Sequence, residues 1–197
     1  AGTGAFYGPK VDVHVKDSLG RYWQCATAQL DFVLPQRFNL RYIEQDGQEA
    51  TPVMIHRAIF GSLERFLGTL IEHYAGAFPV WLAPVQGVVI PLTQEQGPYS
   101  KEVASTLTQA GLRVEIDDRR ETLQARIRDA ELLKTPYMLI VGKREVESQK
   151  VSVRARAAGL PAGSVAGLPA GSVAGDLGAI PLSQFVDRIV REIQEKR

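Results

Sequence analysis

Residues 11–16 read Val-Asp-Val-His-Val-Lys, so apolar and polar side chains alternate one by one. A repeat of two residues is typical of a strand with one buried face. Turn-forming residues at 17–20 and a second extended run over residues 21–32 complete a predicted antiparallel hairpin. A shorter apolar run over residues 52–58 predicts a third strand. Residues 61–74 place apolar side chains three and four positions apart, which predicts an amphipathic helix.

From residue 85 onward, apolar runs alternate with amphipathic stretches. Strands that alternate with helices of this length are typical of parallel βαβ units. The last predicted strand follows its predecessor after a short connection, so we expect it to be antiparallel. The predicted strands cover residues 85–92, 112–116, 137–141 and 151–156, and the predicted helices cover residues 98–109, 119–134 and 183–195.

A proline-flanked stretch, residues 76–84, separates two parts of different composition. We therefore predict two domains, residues 1–80 and residues 81–197. Within the second domain, the sequence AGLPAGSV occurs twice in tandem over residues 158–173. This composition favours a flexible loop, and lengthening a loop costs only about 0.6 kcal/mol per doubling. We assign residues 157–175 as a flexible insertion.

Composition excludes several classes of protein. The chain has 197 residues, a formal net charge of +1 and a single cysteine, Cys25. A near-neutral chain has no uniformly basic surface, so any nucleic-acid site must be a local patch. One cysteine excludes an internal disulfide and suits a reducing compartment. Because no apolar run approaches the roughly 20 residues of a membrane helix and the first residues do not resemble a signal peptide, we expect a cytoplasmic protein without membrane contact.

Residues 56–65 carry the most informative chemistry. Gly61 and Arg65 lie four positions apart, which places both on one face of the predicted helix. A glycine admits a flat ring to the backbone, and an arginine one turn later can clamp a phosphate with its planar guanidinium. Taken alone, the pattern fits a solvated surface arginine as well. His56, beside apolar neighbours, likewise fits either a structural histidine or a metal ligand.

Polar side chains also recur at a period of two on the second predicted strand, at Cys25, Thr27 and Gln29. Simple alternation places them on one face of the strand. Such a face either lines a pocket or contacts solvent, and the pattern fits both.

Five motifs follow one another along the chain: FYGPK, YWQCATAQLDF, PVMIHRAIFGSLERF, FPVWLAPVQ and KREVES…VSVRAR. Together they resemble the C-terminal part of the threonyl-tRNA synthetases, a family of class II aminoacyl-tRNA synthetases. PVMIHRAIFGSLERF resembles motif 3 of the class, and the resemblance covers nearly the whole chain apart from the AGLPAGSV repeat. It implies an α/β fold in which part of an antiparallel-sheet catalytic domain precedes an α/β anticodon-binding domain with a mixed, mainly parallel sheet.

The resemblance assigns roles to individual residues. Arg65 would contact the terminal phosphates of ATP, and Gly61 would lie below the adenine. The guanidinium would offset the charge that develops as the carboxylate of threonine attacks the α-phosphorus. Gln24 is assigned to the ATP site, and Lys10 is assigned a catalytic role beside a phosphate or carboxylate, with an ordinary surface lysine as the alternative. The remaining substrate-binding positions are Tyr7, Cys25, Thr27, Gln29 and Ser62.

The same resemblance implies a catalytic zinc ion, with His56 as one of three protein ligands. In this family the zinc holds threonine through its amino group and its hydroxyl group. A metal that requires a hydroxyl ligand rejects valine, which an apolar pocket excludes only about 10²-fold. The two other ligands are expected upstream of Ala1. ATP would enter the reaction with Mg²⁺.

The second domain resembles the class II anticodon-binding domains. Glu145 and Arg154 match positions that bond anticodon bases, and a carboxylate and a guanidinium suit the edges of single-stranded bases. Arg128 is a third candidate and Arg126 a weaker one, both on the helix predicted over residues 119–134. A solvated amphipathic face is the alternative for this helix, whose predicted arginines also include Arg119 and Arg120.

The chain departs from the family pattern at the start of that helix. Arg120, Thr122 and Gln124 stand where an Asn, a Lys and a Gly are usual, and the Asn is a base-reading position in the family. This segment therefore lacks one of the residues through which the family reads anticodon bases.

The resemblance implies an ATP-dependent threonine–tRNA ligase, which forms threonyl-adenylate and then charges tRNA(Thr). Its partners would be threonine, ATP and tRNA(Thr), and the intact protein would be a homodimer. Class II motifs 1 and 2 and an editing domain are not visible in this sequence. We therefore expect the chain alone to be inactive. The alternatives are a non-catalytic module that binds the tRNA anticodon and the C-terminal half of a split synthetase.

Overall fold

The computed structural model describes residues 5–156 and 175–196. The chain forms two compact units, Ala1–His73 and Tyr74–Arg197. The AGLPAGSV repeat lies outside the described residues, as does all but the last residue of the predicted insertion. The domain bounds given by the sequence stay a prediction.

A three-stranded antiparallel sheet, in the order β1–β2–β5, forms the centre of the first unit. This arrangement confirms the predicted hairpin and the third strand. The strands are β1 (Lys10–Lys16), β2 (Tyr22–Asp31) and β5 (Met54–Ala58); a short helix α1 (Leu34–Arg37) and the small hairpin of β3 (Tyr42–Ile43) and β4 (Glu49–Ala50) lie between β2 and β5, and α2 (Leu63–Tyr74) follows β5.

Helix α2 begins two residues later than the sequence predicts. Gly61 has a φ angle of +68°, in the left-handed region that a right-handed helix cannot include. The Ser62 side chain accepts a hydrogen bond from the backbone N–H of Arg65 at 3.2 Å, in the manner of a helix N-cap. The prediction that Gly61 and Arg65 share a helix face is therefore wrong, because Gly61 precedes the helix.

The second unit contains a five-stranded mixed sheet in the order β10–β9–β8–β6–β7. Strands β6, β7 and β8 are parallel, whereas β9 is antiparallel to β8, as predicted. The sequence did not predict β10, which contains a glycine and ends at a proline. The strands are β6 (Gly87–Pro91), β7 (Val114–Ile116), β8 (Tyr137–Val141), β9 (Lys150–Ala155) and β10 (Asp176–Pro181), and the helices are α3 (Gly97–Gln109), α4 (Leu123–Leu132), α5 (Lys143–Ser148) and α6 (Leu182–Gln194).

Helices cover both faces of this sheet. Val89 packs in one buried cluster with residues of α3 and α6, and its neighbours Val88 and Ile90 pack in another with residues of α4. Strands covered on both faces are apolar at successive positions, as β6 is. In the first unit, the buried apolar residues among those described are Cys25 and Pro35.

Helix α4 also begins later than predicted, at Leu123 instead of residue 119. The Thr122 side chain caps it by accepting a hydrogen bond from the N–H of Ala125 at 3.2 Å. Arg119 and Arg120 therefore precede the helix, and the prediction of one helical segment that carries all the arginines is wrong.

Candidate active site and candidate anticodon interface

Polar side chains of three strands meet on one face of the first unit's sheet. Lys10, Gln29 and His56 lie directly opposite one another on β1, β2 and β5, and Asp12 and Thr27 form the neighbouring row. Directly opposed residues of antiparallel strands project to the same face. Four residues that the sequence assigned to a site, Lys10, Thr27, Gln29 and His56, are thus brought together by the strand register.

Tyr7 joins this face from the segment before β1. Its hydroxyl donates a hydrogen bond to Oε1 of Gln29 at 2.5 Å, and the centres of the Tyr7 and His56 rings are 6.0 Å apart. The contact fixes the orientation of the Gln29 amide, because the oxygen accepts from Tyr7.

Asp31 holds the imidazole of His56. Oδ2 of Asp31 lies 2.9 Å from Nε2 of His56, and Oδ1 accepts the backbone N–H groups of Val33 and Leu34 at 2.9 Å. Burial would raise the pKa of Asp31, but these hydrogen bonds outweigh burial and lower the pKa. Because Nε2 of His56 contacts Asp31, Nδ1 is the ring nitrogen that this contact leaves for another partner.

Lys10 is an ion-paired residue. Its Nζ lies 2.9 Å from Oδ2 of Asp12, and Oδ1 of the same carboxylate accepts a hydrogen bond from the Gln24 side chain at 2.8 Å. The pair therefore connects two residues, Lys10 and Gln24, that the sequence assigned to the site separately.

The register slips by one residue on β2. Val13 lies opposite Ala26 but His14 lies opposite Gln24, so Cys25 has no partner on β1. An extra residue of this kind is a β-bulge, which interrupts the alternation of side chains. Simple alternation from Thr27 therefore does not extend through Cys25, and it is Gln24 that contacts Asp12 on the site face. The Cys25 side chain is buried.

Gly61 packs against the main chain of β2. A Cβ atom on Gly61 would lie 2.9 Å from the carbonyl oxygen of Cys25 and 3.2 Å from that of Gln24. The positive φ angle and this close approach both require glycine. The contact of Gly61 with adenine stays a prediction, as does the substrate contact of Ser62, whose side chain caps α2.

Arg65 lies exposed in the first turn of α2. Its Nη1 donates a hydrogen bond to the carbonyl oxygen of Gln24 at 3.1 Å, and its guanidinium lies 5.8 Å from the centre of the Trp23 ring. The helix start, the bulge and the cation–π contact together define where this guanidinium lies.

The sequence patterns did not single out Asp12, Trp23 or Asp31. Asp31 continues the two-residue period of Thr27 and Gln29, so alternation places it on the same face. Asp12 occupies a polar position of the alternating strand β1, where nothing in the pattern distinguishes a site residue from a solvated one.

His56 has the donor chemistry of a single metal ligand. Within residues 5–156 and 175–196, no three His, Cys, Asp or Glu side chains cluster closely enough to hold a metal ion. The Asp31 carboxylate orients the His56 ring in the way that a carboxylate orients a metal-binding histidine.

The predicted anticodon residues lie at different places in the second unit. Glu145 lies in the first turn of α5, beyond the end of β8, and its carboxylate accepts the N–H of Gly142 at 3.0 Å. Arg154 is exposed on β9 opposite Met138, near the start of β8. Arg128 is exposed on α4.

Two of the other arginines make structural contacts. Arg126 is buried, and its Nη1 donates hydrogen bonds to the carbonyl oxygens of Pro91 at 2.8 Å and Asp117 at 3.0 Å. Arg119 forms ion pairs with Asp117 at 2.7 Å and Asp129 at 2.9 Å, and hydrogen bonds to these carboxylates raise its pKa. The weaker candidate Arg126 is thus a residue of the core.

A cleft of about 420 Å³ lies beyond the ends of β6 and β7. Lys101 and Arg120 line it together with Asp118 and Glu121. Arg120, which departs from the family pattern, therefore lies at an open surface of mixed charge.

Two protein-family models match the chain. The tRNA synthetase class II core domain (G, H, P, S and T) matches residues 2–74, and the anticodon binding domain matches residues 86–166. The threonine–tRNA ligase of Thermus thermophilus is 53% identical over all of this chain and 27% of its own length. That of Carboxydothermus hydrogenoformans is 51% identical over all of this chain and 28% of its own length.

The chain belongs to the threonyl-tRNA synthetase family. It spans little more than a quarter of the length of these curated relatives. The RNA binding domain of threonyl-tRNA synthetase from Cryptosporidium parvum has a TM-score of 0.82 and 37% identity, over 97% of this chain and 44% of that one. Prolyl-tRNA synthetase of the same organism, at 23% identity, shares the fold with a TM-score of 0.70 over 98% of this chain and 38% of its own.

The antiparallel sheet of the first unit, the mixed sheet of the second and the solved threonyl-tRNA synthetase neighbour confirm the mixed α/β fold predicted from the motifs. No helix within the described residues is both long and apolar enough to cross a membrane.

Proposed function

We propose that the full-length protein containing this chain is a threonine–tRNA ligase. It would join threonine to ATP as threonyl-adenylate and then transfer threonine to tRNA(Thr). The single observation that carries the proposal is the row of Lys10, Gln29 and His56, which the strand register assembles on one face beside Tyr7. These residues come from three of the motifs that the family shares, and the geometry unites them.

In the first step, an oxygen of the threonine carboxylate bonds to the α-phosphorus of ATP, and the bond to pyrophosphate breaks. Arg65 would bind the terminal phosphates and so stabilise the charge that passes to pyrophosphate. Gln24 and Gly61 would form the nucleotide side of the site. Lys10, which is paired with Asp12, would lie beside the reacting carboxylate or phosphate and offset its charge.

In the second step, the terminal ribose hydroxyl of tRNA bonds to the carbonyl carbon of threonine and AMP leaves. Tyr7, Thr27 and Gln29 would form the wall that orients threonine during both steps. Cys25 and Ser62 would complete this wall from the bulge of β2 and from the start of α2.

His56 would supply one ligand to a zinc ion, with the remaining ligands from elsewhere in the protein. Such an ion supplies Lewis-acid binding of the amino and hydroxyl groups of threonine, which valine cannot match. Asp31 contributes by holding the ring through Nε2, so that Nδ1 is available.

The second unit would bind the anticodon of tRNA(Thr). Arg154 and Arg128 are exposed and can donate to base edges or phosphates, while Glu145 can accept from a base amino group. We propose Mg²⁺ with ATP, a homodimeric assembly and a cytoplasmic location as further properties of the full-length protein.

Threonine-dependent exchange between ATP and pyrophosphate tests the proposal. We expect exchange by the full-length protein and none by the 197-residue chain. Exchange by neither, with binding of tRNA(Thr) retained, would instead support a non-catalytic anticodon-binding module. Exchange by the short chain would refute the view that its active site is incomplete.

A further inference from the structure

A buried carboxylate anchors the turn between β1 and β2. The Asp17 side chain has no exposed surface, and it accepts hydrogen bonds from the backbone N–H groups of Leu19 at 3.0 Å and Arg21 at 2.8 Å. The same carboxylate accepts from Nε of Arg21 at 2.6 Å and from the indole N–H of Trp23 at 2.8 Å. The Trp23 ring is therefore attached to the turn through its nitrogen.

The anchored ring lies beside two guanidinium groups. The Arg21 guanidinium is 5.6 Å from the ring centre and that of Arg65 is 5.8 Å from it. Arg21 also reaches towards Glu72 on α2, with 3.9 Å between Nη2 and Oε2. The ring and the Gln24 carbonyl are thus two fixed points, from one strand, for the exposed side chain of Arg65.

We propose that Trp23, anchored by Asp17, is a positioning residue that holds Arg65 in place for the phosphates of ATP. This inference rests on the proposed function, because it takes Arg65 as a phosphate ligand. An exposed arginine loses rotamer freedom when it binds a ligand, so a side chain that is already restrained binds more tightly. An aromatic face restrains a guanidinium without using its N–H donors, which remain for phosphate oxygens.

Replacing Trp23 in the full-length protein tests the inference through ATP–pyrophosphate exchange. We expect Trp23→Leu to raise the KM for ATP about two- to fivefold, the range of an exposed cation–π contact, and to leave the KM for threonine unchanged. Trp23→Phe retains a ring but lacks the indole N–H, so its KM for ATP should lie between that of the unmodified protein and that of Trp23→Leu. This milder change also keeps the test informative if Trp23→Leu does not fold.

A double-mutant cycle separates positioning from a general structural role. In an Arg65→Ala background, Trp23→Leu should have no further effect on the KM for ATP, because the group that it positions is absent. Trp81→Phe is the matched control, since it removes an indole from the second unit, where the ring lies near Lys196.

The outcomes distinguish the inference from the function on which it rests. An unmodified protein without threonine-dependent exchange would refute the proposed function. If exchange is present, an equal effect of Trp23→Leu on the KM for ATP in the Arg65 and the Arg65→Ala backgrounds would refute the positioning role alone. An unchanged KM for ATP in both Trp23 variants would refute it too.

Discussion

Arg126 and Arg128 are both arginines, two positions apart on α4, but they have different environments. The side chain of Arg126 enters the unit and binds carbonyl oxygens at the ends of β6 and β7, whereas that of Arg128 is exposed. The sequence made Arg128 the stronger and Arg126 the weaker candidate for RNA binding, but it did not predict that Arg126 is buried. Only the rotation of the helix against the sheet, which depends on its start at Leu123, separates the two.

Substitution of each arginine by methionine should separate stability from RNA binding. Arg126→Met leaves two carbonyl oxygens without their donor, so we expect the free energy of unfolding to fall by about 2 kcal/mol. The matched change Arg128→Met should alter it by less than about 0.5 kcal/mol, because the side chain is exposed.

Urea denaturation measures the free energy of unfolding of both variants, and binding of tRNA(Thr) at fixed salt measures their affinity for RNA. Arg128→Met should weaken RNA binding while Arg126→Met does so only through unfolding. A stable Arg126→Met protein with impaired RNA binding would contradict the structural role of Arg126.

Among the secondary-structure elements, the sequence pattern predicted most strands and helices, but it did not predict the β-bulge or the exact helix starts. The repeat of two predicted β1 and β2, and short apolar runs between helical patterns predicted β6 and β8. Helix starts were placed too early at Gly61 and Arg119, because the apolar period does not show a positive φ angle or a side-chain cap. The bulge at Cys25 leaves no signal in the sequence pattern. Only the structure shows that it places Gln24 on the site face.

The junction of β5 and α2 depends on the absence of a side chain at Gly61. In Gly61→Ala, the added Cβ atom would lie too close to the carbonyl oxygens of Cys25 and Gln24. The left-handed backbone costs about 1–2 kcal/mol more, the usual value for an alanine. Gly47→Ala is the matched control, because its φ angle is +83° and no atom lies within 4 Å of the added carbon.

We expect Gly61→Ala to lower the free energy of unfolding by more than Gly47→Ala, measured by urea denaturation of the two variants. Equal losses would show that the backbone of β2 yields to the new side chain, and would contradict the close packing of this junction.

The hairpin of β1 and β2 should weaken in acid. Burial would raise the pKa of Asp17, but hydrogen bonds from Trp23 and Arg21 outweigh it and lower the pKa to about 2, from 3.8. Because the pKa is lower in the folded state, ionised Asp17 stabilises the fold above about pH 4, and the contribution is lost as the pH falls towards 2.

Thermal melting of the unmodified chain and of Asp17→Asn between pH 2 and pH 6 measures this contribution. The difference in melting temperature should be largest above pH 4 and shrink towards pH 2. A difference that does not depend on pH would show that the charge of Asp17 is unimportant.

Across the whole molecule, the two units differ in how much apolar surface they bury. The second has buried clusters on both faces of its sheet, whereas the described residues of the first bury two apolar side chains, Cys25 and Pro35. The relatives are more than three times as long as the chain. The motifs assigned side chains to a site, and that assignment stays a prediction. The roles of Asp31 and Trp23 beside His56 and Arg65 became visible only in the contacts of the folded chain.

We propose Arg65 of the first unit as the ATP-binding arginine of a threonine-activating site. The most direct measurement is threonine-dependent ATP–pyrophosphate exchange by the full-length protein, with Arg65→Ala compared with Arg57→Ala, an exposed arginine on β5 outside the site row. We expect threonine-dependent exchange that Arg65→Ala reduces at least about 10²-fold and Arg57→Ala leaves nearly unchanged. Undiminished exchange by the Arg65→Ala protein would contradict it.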